Sequence, residues 1–135
     1  MFSKHLLLSL VLLTIRSAQL SEASTVSEAW CKLRAYDITD IMRKKYLFGR
    51  GRMSTTSFFE SEMRNDSSMY AVTEIEIKVT GTYDSFAFER VASTTLFLEP
   101  GESERVIIQV DSSLGYSKIK MDKWKITKII GCAFN

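Results

Sequence analysis

Residues 72–79, "VTEIEIKV", constrain the fold more than any other stretch: Ile75, Ile77 and Val79 alternate with Glu74, Glu76 and Lys78. A helix, with its period of 3.6, would scatter those three apolar side chains around its axis. A strand places them on one face and the charges on the other, so the stretch reads as a half-buried antiparallel strand. Neighbouring segments repeat the pattern. "FFESEMRN" alternates Phe59, Ser61 and Met63 with Phe58, Glu60 and Glu62, and "ERVIIQV" sets Val106, Ile108 and Val110 against Arg105 and Gln109. Asn65-Asp66-Ser67-Ser68 interrupts the first of these with turn-forming residues, predicting a hairpin with a longish loop between residues 58–65 and 70–79. "SFAFERV" and "TTLFL" read as two further short segments. In the last segment Trp124, Ile126, Ile130 and Cys132 share a parity that only Lys128 breaks, and Cys31, Leu33 and Ala35 share one near the start. Both cysteines are thus expected on strands, facing the core. "DITDIMRKKYLF" reads as a strand or a short helix followed by a loop, because Gly49 and Gly51 come directly after it. About seven short strands without a long helix predict an all-β antiparallel sandwich.

Before this region, Lys4 and His5 precede the apolar run Leu6 to Ile15, which is too short to cross a bilayer and has the form of a secretory signal. Ser21 and Ala23 are small residues suited to cleavage after residue 23, giving a signal peptide over 1–23 and one domain over 24–135. An uncleaved signal anchor is the competing reading. Lys4, Arg16 and Glu22 fall in the leader, so the mature charge is +1 against +2 for the whole chain. Bulk charge of that size gives no reason to expect a nucleic-acid partner. The two cysteines, Cys31 and Cys132, are most simply one disulfide in an oxidising compartment, secreted or periplasmic, tying the ends of the domain together. Neither lies in a C-x-x-C motif.

The residue inventory narrows the chemistry. The single histidine, His5, lies in the leader, which removes Ser-His-Asp and Cys-His nucleophiles and histidine-bound zinc from the mature domain. A small carboxylate-dependent hydrolase is the remaining enzymatic reading. Glu74 and Glu76, about 7 Å apart on one strand face, are its best pair, but a face turned to water leaves them without a perturbed environment. Asp37 and Asp40 lack the spacing of a calcium loop, and no metal or cofactor is expected. Glu99, Glu102 and Glu104 crowd into "LEPGESERVIIQV", where Pro100 followed by Gly101 suits a type II turn and makes the glutamates a water-facing rim. "MRKKYLFGRGR" gathers Arg43, Lys44, Lys45, Arg50 and Arg52 around Tyr46 and Phe48, and is the strongest candidate binding surface by composition. Such a loop could take a polyanion or an anionic membrane. Asn65-Asp66-Ser67 also fits the N-glycan acceptor pattern.

The order of "FFESEMRNDSS", "VTEIEIKVTGTYD" and "LEPGESERVIIQV" resembles the small bacterial extracytoplasmic immunoglobulin-like domains with an F-x-L-Y-D signature. Asn65, Tyr83-Asp84 and Pro100-Gly101 stand where that family has its turns, while Thr80 and Thr82 replace the signature's Phe and Leu. The resemblance implies an immunoglobulin-like β-sandwich acting as a non-enzymatic binding or accessory module outside the cytoplasm. Its expected partner is another protein, with a Sec-exported effector as one version.

Overall fold

The computed structural model describes residues 26–43, 45–54, 57–110 and 119–134. The signal reading of 1–23 and the start of the mature chain lie outside them. A helix, α1 (residues 26–33), leads into the two-residue strand β1 (Tyr36–Asp37) and the single-turn helix α2 (Thr39–Met42). Six strands follow: β2 (Leu47–Met53), β3 (Phe58–Asn65), β4 (Tyr70–Tyr83), β5 (Phe86–Leu98), β6 (Ser103–Gln109) and β7 (Ile119–Ala133). They form two antiparallel sheets, one in the order β1-β7-β4-β5 and the other β2-β3-β6. The seven-stranded sandwich expected from the alternation is therefore what forms. Its first strand lies beside its last, not beside the second as in the constant-type immunoglobulin order.

The core lies between the sheets. Ile75, Ile77 and Val79 of β4 face Phe59 and Met63 of β3 and Val106 and Ile108 of β6, all of them buried. Trp124 of β7 packs on Phe59 with ring centroids 4.9 Å apart. That contact needs Gly51, since a β-carbon there would run into both rings.

Three local expectations give way to the structure. Residues 58–65 and 70–79 are not a hairpin: β3 is flanked on both sides, by β2 and β6, so the chain crosses to the other sheet instead. Cys31 is on a helix, and Leu33, expected inward, is 82% exposed. Cys132 does not lie beside Trp124 but in a separate cluster with Cys31, Ala71, Phe97 and Phe134. The cause is a bulge in β7, where the register with β4 slips between Glu76 and Ile77 and one extra residue reverses the parity beyond it. Ile129, not Ile130, then enters the core.

Two turns have the expected chemistry. Asp84 and Ser85 both have positive φ, giving the two-residue hairpin that joins β4 to β5 as one long ribbon rather than two short segments. Gly101 has φ 81° and the Glu102 amide donates to the Glu99 carbonyl, as a type II turn requires.

Candidate functional site

One flank of the sandwich carries two open strand edges. β2 pairs only with β3, and β7 meets β1 only at Gly131 and Ile130, so the stretch of β7 before those residues has no strand partner opposite β4 among the described residues. Between these edges runs a groove of about 420 Å³ lined by Arg43, Leu47, Phe48, Gly49, Trp124, Lys125 and Ile126. Gly49 is required there because a β-carbon would clash with Ser61 and Met63 of β3. The result is an apolar floor with an aromatic wall and a cation from each side.

α2 fixes one end of this groove. The Ile38 amide donates to the Ile129 carbonyl (2.9 Å), and the Ile129 amide returns to the Thr39 hydroxyl (2.9 Å). Asp37 accepts from the Thr39 amide and hydroxyl, which hold its carboxyl below the usual range, helped by the charge of Lys128. Ile38 and Met42 are buried beneath the turn, so Arg43 leaves a rigid element.

From Leu47 onward the basic segment is thus a strand and not a loop, and its glycines face inward. Arg50 and Arg52 stand on the outer face of β2, in register with Glu62 and Glu60. Glu60 receives Arg105 at 2.9 Å and Arg52 at 3.2 Å, and its side chain is only 11% exposed. The Arg105 bond, then that of Arg52, holds the Glu60 carboxyl below its ordinary value of 4.5 against the opposing effect of burial. Arg52 therefore has a structural partner. Lys45 is exposed in the preceding turn, and Lys44 lies outside the described residues.

A lowered carboxyl pKa contributes stability above the ordinary value and loses it as pH falls through and below that value. The Glu60→Gln variant should consequently show a smaller fall in unfolding midpoint than the unaltered chain between about pH 5 and pH 3. Parallel acid limbs for the two proteins would remove this ion triad as a source of acid sensitivity.

The other carboxylates do not assemble. Glu74 and Glu76 lie on the outer face of the four-stranded sheet, where Glu76 accepts from the Thr127 hydroxyl at 2.9 Å. Glu99 is raised by burial and by the neighbouring Glu102, whose carboxylate accepts from the Glu99 amide, and Glu104 belongs to β6 in register with Met63. Among the described residues no three metal-ligating side chains converge. Asn65 is fully buried. Its Nδ2 donates to the carbonyls of Tyr70 (2.8 Å) and Leu98 (3.0 Å) and its Oδ1 accepts from the Ser67 amide (3.0 Å).

No family model, curated protein or solved structure matches the chain. The disulfide, with Cys31 and Cys132 joined at 2.04 Å, points to an oxidising compartment outside the cytoplasm. No helix among the described residues is long and apolar enough to cross a membrane.

Proposed function

We propose that this protein is an exported, non-enzymatic binding module that recognises an extended, acidic segment of another protein in the groove between β2 and β7. The two open edges carry the reading. Unpaired strand amides and carbonyls on facing edges suit an added strand, which supplies hydrogen bonds along its backbone and places alternate side chains in the floor. Phe48, 43% exposed, and Ile126 would take the apolar side chains, while Arg43 and Lys125 would meet carboxylates. The leader-like residues 1–23 and the resemblance to extracytoplasmic immunoglobulin-like modules support export by a Sec route, to the periplasm or beyond the cell. An effector delivered this way would act by occupying its partner and not by turning over a substrate.

Selection from a random-peptide library tests this directly. The unaltered protein should enrich sequences that alternate apolar and acidic residues. Phe48→Ser together with Arg43→Gln should weaken the selected peptides by about tenfold or more, the loss expected when an interface anchor is truncated. Enrichment of the same sequences by the double variant, at equal affinity, would move the binding function away from the groove.

A further inference from the structure

The outer face of the four-stranded sheet carries a charge pattern that shares only Lys125 of its lysines with the groove. Lys120, Lys123, Lys125 and Lys128 of β7 stand in register with Thr82, Thr80, Lys78 and Glu76 of β4. In a regular strand, residues 120 and 128 would point opposite to 123 and 125. Two bulges prevent this: the register slips between Thr80 and Gly81 and again between Glu76 and Ile77, each time with one extra residue in β7. The four lysines therefore come to one face, with Lys78 beside them, over about 20 Å, the length of β4 from Thr82 to Glu76.

Carboxylates answer only part of this row. Lys78 pairs with Glu89 at 3.0 Å, and Lys128 is opposite Glu76. Lys120, Lys123 and Lys125 are exposed and make no ion pair among the described residues. A hollow of about 280 Å³ opens between the strands, lined by Lys78, Thr80, Glu89, Lys123, Trp124 and Lys125. Three ammonium groups around one hollow, continued by further lysines along a line, suit a ligand carrying repeated anionic groups.

We propose that this row binds a linear acidic polysaccharide, sulfated or carboxylated. The rest of the face decides among polyanions. Alongside the lysines, β4 presents Thr80 and Thr82, and β5 presents Ala87, Glu89, Val91 and Ser93. The Trp124 ring of the hollow is packed on Phe59 and not free to stack on nucleic-acid bases, and among these flanking β4 and β5 residues Val91 is the one sizeable apolar group that could enter a membrane. Threonine and serine hydroxyls beside ammonium groups match a sugar chain, whose own hydroxyls and charged substituents alternate along its length. The disulfide points to a compartment outside the cytoplasm, where such polymers occur.

Heparin is the probe, measured at about 0.15 M salt and across a salt titration. The unaltered protein should bind it, and the variant Lys120→Gln, Lys123→Gln, Lys125→Gln should bind roughly a hundredfold more weakly, as three lysines facing an anionic surface would imply. The corresponding triple arginine variant should keep binding, and both should unfold at the midpoint of the unaltered chain, because none of the three side chains has an ion pair among the described residues. Phe48→Ser with Arg43→Gln, which removes the groove's anchors, should leave heparin binding intact. No binding by the unaltered protein, equal binding by the glutamine variant, or tighter binding to single-stranded DNA or anionic vesicles than to heparin overturns the assignment.

Discussion

Replacing Cys31 and Cys132 together by serine should lower the unfolding free energy by about 3 to 5 kcal/mol and the thermal midpoint by roughly 15 °C or more. The bond closes a loop of 101 residues, so its loss frees nearly the whole domain in the unfolded state. A second effect adds to this in the folded state. Both cysteines are 3% exposed and pack with Ala71, Phe97 and Phe134 on the outer face of the four-stranded sheet, away from the main core. Serine hydroxyls there would be buried in apolar surroundings. The disulfide is also what holds α1, since Trp30 and Leu33 of that helix are largely exposed and give it little apolar anchorage. Amides of α1 should therefore lose protection in hydrogen exchange while those of β4 keep theirs. Reduction of the unaltered protein, which leaves thiols and not hydroxyls in that cluster, should reproduce the loop-closure part of the shift, and a midpoint within about 2 °C of the oxidised chain would refute the account.

The same bond shows where a sequence can and cannot be read. Two cysteines near the ends, with no third, pointed to the pairing. Their surroundings were not legible, because alternation predicts a facing only while the register is unbroken. At Glu76 the register slips, Thr127 enters as an extra residue, and Lys128, which had looked like an exception, becomes the regular outward position. The lysine row was hidden for this reason: its members have mixed parity in sequence and one face in space. β6 and the stretch of β4 from Ile75 to Val79 were legible since their core residues alternate without interruption, the register of β4 with β5 slipping only before them, between Val72 and Glu74. α1 was not, because Leu33 is exposed and an exposed leucine gives a false apolar period. In the basic segment the charges were legible, but Gly49 and Gly51 suggested a loop. They are instead the places where β2 passes over Ser61, Met63 and Phe59 too closely for any side chain. The groove beside it depends on β7, about 75 residues later in the chain, and no local pattern announces such a neighbour.

Asn65→Ala should be nearly as damaging as loss of the disulfide, costing about 3 to 5 kcal/mol. Asn65 ends β3, and its side chain connects the start of β4, the end of β5 and the crossing segment between the sheets. Its backbone meanwhile bonds the turn before β6, receiving the Gly101 amide and donating to the Glu102 carbonyl. Alanine would keep those backbone bonds but strand the buried Leu98 carbonyl and Ser67 amide and leave the part-buried Tyr70 carbonyl without this donor. Aspartate is a sharper test than alanine because it changes shape little. Its carboxylate would face two carbonyl oxygens that now accept hydrogen bonds, so burial and repulsion would raise its pKa in the folded state. The Asn65→Asp variant should then lose stability as pH rises above the ordinary aspartate value and recover part of it in acid, opposite in sign to the effect of Glu60. The same geometry bears on the Asn65-Asp66-Ser67 acceptor pattern. A glycan would replace a hydrogen of the Nδ2 that donates to Tyr70 and Leu98, and the side chain has no exposed surface to carry it. Expressed in a glycosylating host, the folded fraction should show the unmodified mass by intact-mass measurement. A glycosylated fraction with an unchanged unfolding midpoint would contradict the structural role assigned to Asn65.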